Sequence, residues 1–460
     1  MRIVGKIVKW LLVLVLVALL GVLGWLHFAP PALLQGAMNV AAKFVCSYHF
    51  IAGRDAQEVL ANDVHAPAAH PLLTYLTADV DEPAGTVTAR FFGFLGKGVA
   101  AHRDGYGCVT VTAGGGVAAL PALPAPTPND ENALWPRGER VAPSQDPALA
   151  AILDDPALTG PGMRAVVVVH NGRIIGERYG DGYDWDTPLL GWSMAKTVTA
   201  ALVGTLVGEG DLSLDQDGLF ETWNGDERGA ITVADLLAMS SGLEFNEDYG
   251  TLTDVTRMLF LEPDMAAFAA DKPLAGPRGQ TFSYSSGTTV LLSRIWQDAF
   301  DDPDAALNWP REALFGPIGM ASAVLEPDMR GTYVGSSFLY ASARDWARFG
   351  ELLRNDGFWD GRRILPEGFA QWMRELAPAS GGKYGRGQLW LPGALAEGAL
   401  DGRILPEDTF WLQGHEGQRT VVMPSRDLVV VRLGLTPSSL GYQPMRLAAA
   451  VAELFPAVPR

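Results

Sequence analysis

The chain has 460 residues, of which 48% are hydrophobic and 19% charged, and its formal net charge is -17. That apolar content excludes a disordered chain, and the acidic balance argues against a nucleic-acid partner, whose phosphates demand a basic face. Two cysteines, Cys46 and Cys108, are too few for a cysteine-rich zinc or iron–sulfur framework.

Arg2, Lys6 and Lys9 precede an uncharged apolar run over residues 10–26, continued by His27, Phe28 and Ala29. About twenty helical residues cross the ~30 Å hydrocarbon core of a bilayer. With the basic residues on the N-terminal side, residues 1–31 read as a cytoplasmic tip and a single-pass signal anchor in the inner membrane. The body of the chain is then placed in the periplasm or outside the cell. A cleaved signal peptide is the alternative. The run is longer than a typical signal core, and no small-x-small site follows before Pro30 and Pro31, which favours the anchor.

In an oxidising compartment Cys46 and Cys108 are expected to pair rather than stay as separate buried thiols. Their loop of about 60 residues is worth about 4 kcal/mol on the chain-entropy account. Residues 85–91 alternate as a strand does, so residues 32–118 read as a small stapled subdomain. Pro121, Pro124, Pro126, Pro128 and Pro136 make residues 119–144 unfit for a helix or a central strand. They read as a linker, or as an extended belt across the next domain.

Residues 145–460 read as one large mixed domain. Residues 164–170 and 173–179 are apolar strands around Asn171-Gly172, a strong hairpin signal. A helix is expected from Ser193 to about Gly208, and others over residues 233–239, 288–298 and 343–353. Strands return at 419–423 and 428–433, and a helix over 444–454 closes the chain. One sheet must therefore be assembled from both ends of the domain.

Ser193 and Lys196 lie three apart at the start of a helix, on one face. A serine hydroxyl becomes a nucleophile when a base takes its proton, and a lysine can be that base when burial or nearby positive charge lowers its pKa. The helix N-terminus adds oriented N–H groups that stabilise an oxyanion. Ser380-Gly381-Gly382-Lys383 has the same spacing, but its two glycines disfavour helix, and it reads as a loop coincidence.

Trp192-Ser193-Met194-Ala195-Lys196 resembles the S-x-x-K motif of the serine β-lactamase and penicillin-binding protein superfamily. The likeness is strongest to its class C-like esterases, D-aminopeptidases and 6-aminohexanoate-dimer hydrolases. Residues 231–243 are similar to the segment after the nucleophile helix, and residues 342–350 resemble a later helix. Phe282-Ser283-Tyr284-Ser285-Ser286-Gly287 stands where the tyrosine of Y-x-N belongs, and Gly414-His415-Glu416-Gly417-Gln418 where K-T-G would lie.

The resemblance implies an α/β (α+β) fold of the β-lactamase/transpeptidase type. Its antiparallel sheet is flanked by helices and joined by a helical subdomain, beyond the N-terminal helix and small subdomain. It implies Ser193 as acylated nucleophile, Lys196 as its base, and Tyr284 as proton relay, a role that asks a positive neighbour such as Lys196 to lower the phenol's pKa. The N–H groups of Ser193 and Gln418 would form the oxyanion hole, with His415 in the Lys position of K-T-G. Trp192, Tyr249, Ser286, Glu416 and Gly417 are the candidate substrate contacts, while Trp390 and Trp411 line the cleft or belong to the core. Ser286 replaces the Asn of Y-x-N, and His415 and Glu416 replace Lys and Thr. A small ester or linear amide therefore fits better than a penicillin.

No cofactor is implied, and the seven histidines lack metal-site spacing, with His65 and His70 read as exposed. The expected partners are a small ester or amide and, through the first helix, a membrane. The sequence does not reveal the oligomeric state. Two rivals stand. An α/β-hydrolase would use Gly191-Trp192-Ser193-Met194-Ala195 as its elbow and His415 as triad base. A catalytically silent envelope sensor would keep the fold alone.

Overall fold

A computed structural model describes residues 2–66, 71–114 and 116–456, so His70 lies outside the described residues. The chain divides into two units: Met1–Arg103 with Cys108–Gly116 and Asp248–Pro263, and Asp104–Gly107 with Val117–Glu247 and Asp264–Arg460.

The first unit starts with helix α1 (Arg2–Phe28). Its span Ile3–Phe28 has a mean hydropathy of 2.7 and buries nothing, so it is long and apolar enough to cross a membrane or to serve as a signal sequence. Pro30 and Pro31 break the helix, and α2 (Ala32–Ala52) follows. The buried face of α2, with Met38, Ala41, Ala42 and Val45, packs on an antiparallel sheet of β1 (Leu76–Asp81), β2 (Thr86–Phe91), β3 (Leu95–Arg103) and β4 (Gly107–Val111), in that order. Val87, Ala89 and Phe91 alternate inward from β2. A disulfide joins Cys46 of α2 to Cys108 of β4. The helix Asp254–Leu261 completes the unit: Asn39 Nδ2 donates to the Phe260 carbonyl at 2.6 Å, and the Phe44 and Phe260 rings meet edge-on.

The second unit is built on β5 (Met163–His170), β6 (Arg173–Tyr179), β7 (Phe410–Gln413), β8 (Arg419–Met423) and β9 (Leu428–Gly434). They form one antiparallel sheet in the order β7-β8-β9-β5-β6. Asn171 and Gly172 both take positive φ, 50° and 69°, as the tight β5–β6 hairpin requires. The two ends of the domain meet where Val167 and Val168 face Val431 and Val430. Both faces of the central strands are apolar because both are covered. Helix α6 (Met445–Glu453), with Leu149 and Leu153, packs on one side, and α5 (Ala343–Arg354) on the other. Between the sheet strands in sequence lie the buried core helix α3 (Ala195–Glu209) and α4 (Ser286–Asp298), which pack together. A sheet that is antiparallel throughout is not the parallel-stranded scaffold of an α/β-hydrolase, so that rival loses its fold.

The proline-rich stretch runs over this second unit as a belt. Its short strands Asp130–Leu134 and Gly138–Arg140 pair in parallel. Buried Arg348 of α5 holds the belt by donating to the Pro136 and Gly138 carbonyls and to Glu139 Oε1 at 2.7 Å.

Candidate functional site

Leu189–Leu190 pairs with the strand Leu339–Ala341 and delivers the chain to Gly191. A Cβ on Gly191 would come within 2.1 Å of the Trp346 ring, so only glycine fits there. Trp192 then takes φ 51°, an uncommon conformation for a non-glycine residue, and a single tight turn over Trp192–Met194 leads into α3. Ser193 therefore stands half-buried just before the helix, with Lys196 in its first turn.

Lys196 is fully buried, and among the described residues its Nζ has three hydrogen-bond partners: Ser193 Oγ at 2.9 Å, Ser286 Oγ at 2.9 Å and the Ser336 carbonyl at 3.0 Å. Ser286, the first residue of α4, is itself committed. Its Oγ–H donates to Glu247 Oε1, and its backbone N–H donates to Glu247 Oε2 at 2.7 Å. The Glu247 carboxylate lies 3.9 Å from Nζ. Burial lowers the Lys196 pKa to about 8, against the opposing pull of Glu247. Burial likewise raises the Glu247 pKa, with Lys196 and Ser286 working the other way.

Tyr284 precedes α4. Its ring packs against Tyr384 and Trp390, with centroids at 5.8 and 5.4 Å, and Lys196 Nζ sits 4.9 Å from its centroid. To act as a base this phenol would need a positive neighbour such as Lys196, and its net pKa shift runs the other way. Burial first, and Glu247 second, hold it above the ordinary tyrosine value, while the hydrogen bond with Ser193 and the charge of Arg419 oppose them. The phenol is thus neutral at physiological pH, able to donate a proton and to pass one on.

The turn before β8 closes the other side. Glu416 and Gly417 both take positive φ, 61° and 85°, and a Cβ on Gly417 would meet Arg432 at 2.7 Å. The Gln418 side chain stitches this turn to β9: its Oε1 accepts from the Gly434 N–H at 2.8 Å, and its Nε2 donates to the His415 carbonyl at 3.1 Å. Thr420 reaches Met194 Sδ at 3.6 Å, which fixes β8 beside the Ser193 turn. Among the described residues, neither the Ser193 nor the Gln418 N–H donates to a backbone acceptor. His415 packs edge-on against Trp192, with centroids at 5.3 Å, and its Nε2 lies 3.0 Å from Glu416 Oε1.

The structure thus brings together Ser193, Lys196, Tyr284 and Ser286, and sets Trp192 beside His415 on the same turn of chain as Glu416, Gly417 and Gln418. Trp390 packs on Tyr284, whereas Trp411 belongs to the core. Tyr249 lies in the segment assigned to the first unit. Ser380 and Lys383 stand in a turn whose two glycines take φ 61° and 84°. Glu247, Arg419 and the Ser336 carbonyl are the neighbours that sequence reading missed. Each comes from a loop or strand edge with no periodic or motif signal, although Arg419 directly follows Gln418. No group of histidine, cysteine and acidic residues suited to a metal occurs among the described residues.

The beta-lactamase family profile matches residues 156–451. No curated protein sequence matches the chain. Among solved structures, a candidate 6-aminohexanoate-dimer hydrolase from Bacillus anthracis is 24% identical with a TM-score of 0.55, over 73% of this chain and 88% of that one. A structure described as a beta-lactamase from Bacteroides dorei is 19% identical with a TM-score of 0.53, over 67% and 97%. EstCE1, a hydrolase with promiscuous acyltransferase activity, is 16% identical with a TM-score of 0.52, over 67% and 97%. At these identities the likeness establishes a shared fold.

Proposed function

This chain belongs to the beta-lactamase family, and from that premise we propose that it is a membrane-anchored, extracytoplasmic serine hydrolase acting through an acyl-enzyme on a small ester or linear amide. The observation that carries this reading is the hydrogen-bonding of Lys196. A neutral amine has two N–H donors and one lone pair. The Ser336 carbonyl can only accept, and the Ser286 hydroxyl proton is committed to Glu247. The lone pair of neutral Lys196 is therefore left for the hydroxyl of Ser193.

In the proposed cycle Ser193 Oγ attacks the acyl carbonyl while its proton passes to Lys196 Nζ. The N–H groups of Ser193 and Gln418 meet the oxyanion. The neutral Tyr284 phenol protonates the leaving group as its bond to the acyl carbon breaks; the resulting phenolate later takes a proton from the attacking water, and Lys196 returns the serine proton to Ser193 Oγ as the acyl bond is cleaved. Water then takes the leaving group's place and the same groups run in reverse. His415 and Glu416 in place of a lysine and a hydroxyl remove the usual docking point for a substrate carboxylate, which favours uncharged acyl groups.

Turnover of short-chain nitrophenyl esters, small linear amides and a chromogenic cephalosporin by the full chain in detergent tests this reading. Ester turnover should exceed amide turnover and both should far exceed cephalosporin turnover. Cephalosporin hydrolysed fastest would contradict it, and no turnover of any class would favour the silent sensor.

The reading also fixes a pH dependence. The base form of Lys196 is needed, so kcat/KM should rise with pH through about 8. Glu247 favours the charged ammonium, so Glu247→Gln should move that limb to lower pH, by about one unit or more for a charge this close. An unmoved limb would mean that Glu247 carries no charge in the working enzyme.

A further inference from the structure

The first unit exposes five large apolar side chains outside α1 among the described residues: Leu33, Tyr75, Phe92, Phe94 and Leu252. Two of them, Phe92 and Phe94, sit in the β2–β3 turn, and Tyr75, just before β1, packs on Phe92. Phe92 and Phe94 are 58% and 60% exposed and flank Gly93, while Tyr75 is 54% exposed. The Phe92 N–H donates to the Tyr75 carbonyl at 2.9 Å, and the two rings lie 5.2 Å apart. Phe92 takes φ 52°, a conformation better suited to glycine or asparagine. A water-exposed turn is thus built around an aromatic residue in an unfavourable backbone state, an arrangement that solvent alone does not explain.

The position of this cluster along α1 identifies what it meets. His27 Nδ1 lies 2.9 Å from the Phe94 carbonyl, one residue before the end of α1. The uncharged stretch of α1 from Trp10 to Phe28 is about 28 Å long at 1.5 Å per residue, close to the ~30 Å hydrocarbon thickness. If Trp10 marks the inner boundary, His27 and Phe94 stand at the outer one, where aromatic side chains favour the headgroup region. Lys97, two strand positions beyond Leu95, is exposed and suited to lipid phosphate.

We propose that the β2–β3 turn, with Phe92, Phe94 and Tyr75, is a second membrane contact that inserts into the interface of the outer leaflet and pins the first unit to the bilayer surface. This rests on the reading of α1 as a membrane anchor. The partner is a phospholipid bilayer interface.

The full chain, reconstituted in nanodiscs of phosphatidylethanolamine and phosphatidylglycerol, tests it. A polarity-sensitive nitrobenzoxadiazole label is placed in turn on Phe94→Cys, Leu19→Cys and Ala84→Cys, without reductant so that the native disulfide stays closed. Ala84 is exposed in the β1–β2 turn and serves as the solvent control. Shallow doxyl lipids should quench position 94 several-fold more than position 84, and deep doxyl lipids should quench position 19. Quenching at 19 with positions 94 and 84 alike would overturn the second contact while leaving the anchor intact. No quenching at 19 would overturn the anchor, and the contact with it. A blue-shifted label at 94 in lipid-free detergent-exchanged protein, unchanged by lipid, would place the turn against protein and also overturn the proposal.

Discussion

Lys196→Ala is expected to lower kcat for ester hydrolysis by about 1,000-fold or more with a small change in KM, the size of effect associated with removing a general base. Ser193→Ala should lose at least as much. The two losses should not add, because the residues act as one unit and either change removes the activated nucleophile. Ser286 keeps its bonds to Glu247, but that buried carboxyl loses its counter-charge, so the variant should be less stable and its folding is checked by circular dichroism beside the kinetics. His415→Ala is the counterpart: an exposed ring resting on Trp192 and paired with Glu416 should change turnover by less than about tenfold. A Lys196→Ala enzyme within tenfold of the parent, coupled with an inactive His415→Ala, would hand the role of base to His415.

Arg348→Ala is expected to destabilise the second unit by about 3–5 kcal/mol, since it strips the counter-charge from buried acids. Arg348 is 1% exposed and bonds Asp345 Oδ1 and Glu139 Oε1, both at 2.7 Å, besides two belt carbonyls. Asp345 is as deeply buried, and burial already raises its pKa against the pull of Arg348. Removing the guanidinium would leave that carboxylate and the carbonyls of the belt unmatched. A drop in Tm of the order of 10 °C should follow, read by calorimetry on the full chain. Loss of under 1 kcal/mol would mean that the belt is held by its other contacts. Arg344, which bonds Glu177 at 2.7 Å and the Glu139 carbonyl at 2.8 Å, offers a parallel test on the same belt.

What was legible in the sequence was local. The hairpin at Asn171-Gly172 and the Ser193–Lys196 spacing each declare themselves within a few residues, and the structure places them as read. Helix α2 is harder to read because its buried residues are mostly small and interleaved with Asn39 and Lys43, so it becomes plain only against its sheet. The contribution of Asp248–Pro263 to the first unit leaves no local trace. At the site, Glu247 comes from a loop 39 residues before Ser286, and the Ser336 carbonyl lies 140 residues beyond Lys196. Backbone acceptors carry no residue signature at all. The motif around Tyr284 likewise does not show how deeply its ring is buried, and burial is the largest effect on that phenol.

The central claim is that Ser193 is the acylated nucleophile and Lys196 its base. Intact mass spectrometry of the full chain in detergent after treatment with a fluorophosphonate tests it most directly. One phosphonyl adduct per chain is predicted, mapping to Ser193, absent from Ser193→Ala and formed far more slowly by Lys196→Ala. Hydrolytic activity that persists with Ser193 unmodified, or an adduct that maps to another residue, would contradict it.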